Sequence, residues 1–443
     1  MTADTSTAQA RLTDAAVRPL RTLDPVGPLE DLDWLDEAIG DARVVAIGES
    51  AHYNAESYQL RHRLLRYLVE RHGFSAYALE NGFTEGWSTD AWVRGTTDTE
   101  RLGQLMGNGM TSLMLLWSQM RAQLEWMRQH NRTAARPVGF YGIDLGGSNV
   151  SLLPGLDAVT DYLAEADPRF KVDSRLRETA AAFAPPSAFS APAAVAAYGG
   201  LAPEAKDALT AGLAVLAARM TGRRLDYLRR TTADAYARAL RSLHLTCTLD
   251  TVVRAMAGGD MQTGMLNRDA AIADTVEWIL RKEDRIVLAA HNGHIQRWPG
   301  TLPGMPPATP MGMHLADRLG EDYLVIGTTT GTGHTLTTSA DFYAGTLFSE
   351  LEPPRPGSLD AVMAASHDGP FATDLRRLSP ADTSTVRAIT QQRYGTFYAD
   401  LSPLDAYDII VHLPQVTAAE PDQDALAHSP DDVRKAFRQW KSH

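Results

Sequence analysis

Six short apolar runs punctuate the chain, at residues 42–48, 74–79, 137–143, 284–290, 323–327 and 407–412. The first four lead directly into an ionisable residue: Glu49, Glu80, Asp144 and His291. Near-continuous runs of this length predict strands buried on both faces, as in a parallel sheet covered by helices. The segments between them carry helical periodicity. Over residues 56–72, Leu60, Leu64, Leu65 and Leu68 form one apolar stripe, and Gly73 stands where a helix is closed. Two further helices are predicted over 112–130 and 267–282, the latter with Asn267 as N-cap. The run at 323–327 is expected to give way to a Thr/Gly loop. The fold class is α/β, a mostly parallel central sheet flanked by helices.

Residues 150–260 show no strand signal. Residues 175–183, 203–220 and 223–249 read as helices, interrupted by an Ala/Pro-rich stretch at 184–197. The expected organisation is a flexible N-terminus over 1–20 and an α/β core over 21–150 and 266–443. Residues 151–265 form a helical insertion that caps the carboxyl ends of the strands.

Composition narrows the function. The chain has 443 residues, and Lys+Arg 42 against Asp+Glu 54 leave a net charge of −12. That balance opposes nucleic-acid binding, which needs a basic face to neutralise phosphates. No run approaches the ~20 apolar residues of a membrane span. The first ten residues lack the pattern of a signal peptide, so a soluble cytoplasmic protein is expected. The single cysteine, Cys247, excludes an internal disulfide framework. Its apolar flanks predict a buried structural thiol.

In open α/β sheets, ligands bind outside the carboxyl ends of the strands. Four ionisable side chains at four such ends would make a carboxylate/imidazole rim. Gly48-Glu49-Ser50-Ala51-His52 places a carboxylate and an imidazole three residues apart, and His291-Asn292-Gly293-His294 does the same with two imidazoles. Imidazole suits general-base work near neutral pH, and a neighbouring carboxylate fixes its tautomer. Arg61 reads by periodicity as a solvated helix-face residue, although a helix starting at the rim could turn it inward to bind a carboxylate or oxyanion. Arg268 and Asp269 open the predicted helix at 267, where Asp269 would favour the helix N-terminus. There is no Gly-x-Ser-x-Gly elbow around Ser50, no Gly-rich phosphate loop and no His-Glu-x-x-His. No cofactor is called for. A zinc or manganese set drawn from His52, His291, His294, Glu49 and Glu80 stays open.

At these residues the sequence resembles the erythromycin esterase family. The resemblance rests on Gly48-Glu49-Ser50-Ala51-His52, residues 66–72, Ala78-Leu79-Glu80 and Gly142-Ile143-Asp144, and continues through 267–270, 290–294 and 311–316. It covers about residues 43–144 and 267–335, and is looser in the insertion and the C-terminal segment. It implies hydrolysis of a macrolide lactone by direct attack of water, without a covalent acyl-enzyme. His52 is then the general base, Glu49 and Glu80 orient base or water, and Arg61 is an active-site arginine. His291 and His294 line the site, with Asp144, Asn292 and Arg268 on the substrate side.

The substrate would be a macrolide or polyketide-like small molecule chosen by the insertion and by the loop at 103–109, with Tyr198, Tyr227 and Tyr236 available to line an apolar cleft. Two other activities fit the same rim: a natural-product tailoring reaction such as cyclisation, lactone exchange or elimination, and sequestration of a hydrophobic ligand without turnover. Oligomeric state is left open.

Overall fold

The apolar run at 42–48 forms a strand whose four central residues, Val44–Ile47, have no exposed surface. That requires sheet neighbours on both sides and helices on both faces. The structure is a computed structural model and describes residues 10–97, 101–108, 112–337 and 340–441. Its strands in chain order are β1 (Arg18–Pro19), β2 (Val44–Ile47), β3 (Ala76–Gly82), β4 (Gly139–Asp144), β5 (Ile286–Ala289), β6 (Tyr323–Leu336), β7 (Phe348–Leu351), β8 (Phe371–Asp374), β9 (Gln391–Tyr394), β10 (Phe397–Asp400) and β11 (Ile409–Val416).

By packing, the chain divides into two compact units, one built on residues 1–74, 284–342 and 346–420, the other on 75–283, 343–345 and 421–443. This division differs from the expected boundaries at 150 and 265. The reason is that β3 and β4 pair in parallel with each other, and β4 packs on helices Gly86–Val93 and Met261–Leu280. They therefore share a core with the helical segment.

In the first unit the strand order is β1-β8-β11-β6-β2-β5, with β7 antiparallel on β6. The centre is parallel: β2 pairs with β5 and β6, and β6 with β11. Beyond β11 the pairing turns antiparallel, β11 with β8 and β8 with the edge strand β1. Helix Ala55–His72 buries Leu60, Leu64, Leu65 and Leu68 and ends on Gly73, whose φ of 68° closes it.

Several expectations are corrected here. Residues 10–20 are held rather than loose: Leu12 is buried and Arg18 and Pro19 pair with Ala372 and Phe371. The remainder of the expected flexible segment, residues 1–9, lies outside the described residues. The Thr/Gly segment after residue 327 continues as strand β6, paired with β11 as far as Gly333. Threonine is β-branched and suits a strand, and Gly333, at φ 116°, lies where a Cβ would strike the carbonyl oxygen of Val416. The helix predicted from 112 is a 3-10 turn, Leu113–Leu115, followed by helix Ser118–Asn131.

In the second unit every element between Leu153 and Leu280 is helical. Part of the loop expected at 103–109 is helix Leu102–Asn108, and residue 109 lies outside the described residues. Tyr198 and Tyr227 are almost wholly buried at helix seams, Tyr198 edge-on to Phe183 and Tyr227 edge-on to Tyr162, so neither lines an open cleft. Cys247 is half-buried in helix Ala233–Ala257, where burial pushes its thiol up to about 11, so it is held protonated. Among the described residues, no helix is long and apolar enough to cross a membrane.

Candidate active site

The carboxyl end of β2 builds the first cluster. Glu49 follows the strand directly and is wholly buried, and His52 sits in the turn that leads to helix Ala55–His72. The His52 Nδ1 lies 2.6 Å from Glu49 Oε1. The other carboxylate oxygen, Oε2, lies 2.9 Å from Arg61 Nη1, also wholly buried. Arg61 projects from the second turn of the helix back towards the sheet, where its Nη2 donates to the carbonyls of Ala290 at 2.6 Å and Ile47 at 3.4 Å. The solvated reading of Arg61 is thus overturned: it has no exposed surface, and it meets a carboxylate, that of Glu49. Tyr53, next to His52, has a φ of 65°, an uncommon conformation for a bulky side chain that turns the chain sharply between strand end and helix.

The carboxyl end of β5 packs against this turn. His291 Nδ1 accepts the N–H of Gly293 at 3.0 Å, which assigns the ring proton to Nε2, and Nε2–H donates to the carbonyl of Ser50 at 3.1 Å. The two imidazoles of His52 and His291 stand edge to face with centroids 5.3 Å apart. His291 was expected in a catalytic role. Its Nε2 ties β5 to the Glu49–His52 turn, while Nδ1 caps the start of its own short helix at Gly293. Asn292, expected on the substrate side, is wholly buried. Its amide donates to Thr328 O at 2.7 Å and accepts from Thr328 N at 3.1 Å, so it ties the end of β5 to β6. Gly48 makes room for it, since a Cβ there would meet the Asn292 amide oxygen. His294 lies half-buried on the single helical turn Asn292–Ile295.

The second unit holds the other three predicted residues together. Arg268 donates from Nε to Asp144 Oδ1 at 3.0 Å and from Nη2 to Asp144 Oδ2 at 2.6 Å, a bidentate pair, and Nη2 also reaches Glu80 Oε1 at 3.1 Å. Burial works against the charge of Asp144. The Arg268 guanidinium outweighs it and, with the N–H of Leu145, holds the carboxyl below its ordinary range. The helix carrying Arg268 starts earlier than predicted, at Met261, where Asp260 caps the N–H of Thr263. Asn267 is therefore not the N-cap, and Arg268 and Asp269 lie mid-helix, with Asp269 buried.

Among the described residues, no three His, Cys, Asp or Glu side chains are grouped as a metal site. Sequence reasoning missed Tyr394, whose ring stands edge-on to His291 at 5.3 Å, as well as the buried network Gln296–Tyr394–Tyr407–Gln392 behind it. Nothing local marks Tyr394 and Gln392, because the short strand β9 brings them in from far along the chain.

A mostly parallel sheet with a carboxylate-held histidine at the carboxyl end of a central strand places a candidate general base where α/β folds bind their ligands. The family model for erythromycin esterase matches residues 69–416, a span that Glu49, His52 and Arg61 precede. Erythromycin esterase type II of Escherichia coli is 30% identical over 421 residues, covering 91% of this chain and 96% of that protein. Erythromycin esterase type I of Escherichia coli is 27% identical over 312 residues, covering 65% and 70%. A solved structure of a mutant of the erythromycin esterase EreC in its open conformation superposes with a TM-score of 0.75 at 24% identity, covering 91% of this chain and 98% of that one. The chain belongs to the erythromycin esterase family and is a carboxylic ester hydrolase.

Proposed function

We propose that this protein hydrolyses an ester or lactone of a macrolide-like natural product, with His52 activating water as general base and no covalent acyl-enzyme. The observation that carries this reading is the 2.6 Å contact between His52 Nδ1 and Glu49, backed by the buried Glu49–Arg61 pair. The relatives named erythromycin esterase support the macrolide class.

With Nδ1–H donated to Glu49, the lone pair of His52 resides on Nε2. Water attacking the carbonyl carbon gives its proton to Nε2, and the imidazolium is stabilised by the Glu49 carboxylate. The tetrahedral intermediate then collapses, the C–O bond of the ester breaks, and the same proton passes to the leaving oxygen. The products are a carboxylic acid and an alcohol, joined in one molecule when the substrate is a lactone. Arg61 keeps Glu49 charged and fixed, and His291 holds the turn that carries the base. The enzyme is taken to be cytoplasmic and to work without a metal, so turnover that vanishes with EDTA and returns with a divalent ion would sink that part of the reading.

Mass spectrometry in heavy-oxygen water tests the reaction directly. A 14-membered macrolide should gain one labelled water. A product of unchanged mass would instead indicate isomerisation, and binding without product would indicate sequestration. His52→Ala should lower kcat by about 10²–10⁴-fold, the usual weight of a general base, with far-ultraviolet circular dichroism unchanged. Retained turnover in that variant would remove His52 from the role. In the second unit, Glu80→Gln checks the part the resemblance implies for the Glu80–Asp144–Arg268 cluster.

A further inference from the structure

Helices Arg224–Leu228, Ala233–Ala257 and Met261–Leu280 of the second unit, with Arg281 just beyond the last, line an open pocket of about 320 Å³, remote in sequence from every residue placed in the two clusters except Arg268. Its wall carries three guanidiniums and an imidazole, from Arg224, Arg241, Arg281 and His244, around the largely buried rings of Tyr236 and Trp278. This is a concentration of positive charge in a chain whose net charge is −12.

Arg241 is the unusual member. Its Nε and Nη2 donate to the Thr275 hydroxyl at 3.2 and 2.7 Å, and Nη2 also donates to the Ala271 carbonyl at 2.5 Å. All of these partners are neutral, and among the described residues it makes no ion pair. Burial lowers its pKa to about 10, and the nearby Arg281 adds to that, while the one opposing carboxylate is Asp274. His244, one turn further along the same face, is lowered by burial and by Arg241. A part-buried guanidinium whose hydrogen-bond partners are all neutral is costly, and an anion in the pocket adds to the one nearby carboxylate, Asp274, in relieving that cost. Arg224 and Arg281 are exposed at the rim and likewise make no ion pair among the described residues.

We propose that this pocket binds a small carboxylate with an apolar body, of fatty or aromatic type. The arginines take the head group through the fork geometry that suits carboxylates, and Tyr236 and Trp278 take the body. The size lies at the lower end of small-molecule sites.

Calorimetric titration of the full-length protein with octanoate tests this, with octan-1-ol and inorganic sulfate as separate arms. Octanoate is expected to saturate a single site, and both octanol and sulfate to bind at least about tenfold more weakly, because each lacks one half of the recognition. Arg281→Ala and Arg241→Gln should each weaken octanoate about tenfold. Arg241 also holds the Ala271–Thr275 turn, so the exposed Arg281→Ala, with an unchanged melting curve, keeps the test decisive. Octanoate that does not saturate, octanol or sulfate binding equally well, or full affinity in Arg281→Ala would each overturn the proposal. None of these residues belongs to the two clusters described above, so failure here is separate from failure of the esterase reading.

Discussion

Arg61 and Glu49 are buried as a pair, and the energetics of such pairs decide what a substitution does. Removing one partner leaves a charge without water or counterion, which typically costs ~3–5 kcal/mol. Arg61→Met is therefore expected to lose about that much stability in urea unfolding and to lower kcat as well, since Glu49 would no longer hold His52 in one tautomer. A variant as stable as the parent would mean that the guanidinium does not carry this task. The sequence offered Arg61 as one arginine on a helix face. Its inward direction follows from the position of its helix relative to β2, with the Ile47 and Ala290 carbonyls as acceptors. His52 and Glu49 were legible because they stand three residues apart and the contact between them is local.

Elements show a similar split. The apolar runs of β2, β3, β4, β5 and β11 mark strands buried on both faces and could be read directly. Strands β1, β7, β8, β9 and β10 lack such runs: β1, β7 and β10 are partly exposed, while β8 and β9 are buried but built from mixed residues such as Thr373, Gln392 and Arg393. Asn292 belongs to this scale, since it sews β5 to β6 through the backbone of Thr328. Asn292→Ala leaves the buried Thr328 N–H without an acceptor and should cost about 1–3 kcal/mol in a thermal or urea melt. KM should stay near its parental value in the folded fraction. A raised KM with undiminished stability would restore Asn292 to the substrate side.

For the molecule as a whole, two buried histidines set a pH dependence. His62 and His412 are nearly unexposed, and burial lowers each from 6.5 to about 3. The unfolded chain thus binds protons at these positions well before the native one does. Their contribution to stability is complete above about pH 6.5 and is lost as pH falls towards 3. The urea midpoint should decline across that window. His412→Gln should flatten the decline by about one proton's worth of slope, whatever it does to stability at pH 7. An unchanged slope would show that His412 is not neutral and buried in the native state.

By itself, the sequence determined the α/β class, the buried strands and the ionisable residues that follow them, because strand burial and short-range motifs are written in consecutive residues. It determined family membership through blocks that keep their order. Tertiary structure alone decided partners. It paired Arg61 with Glu49, set His291 against Ser50 and Asn292 against Thr328, and placed β3 and β4 with the helical segment. Those outcomes depend on which distant groups a side chain meets once water is excluded, and burial fixes the partners of a charge or an amide more strictly than any local pattern.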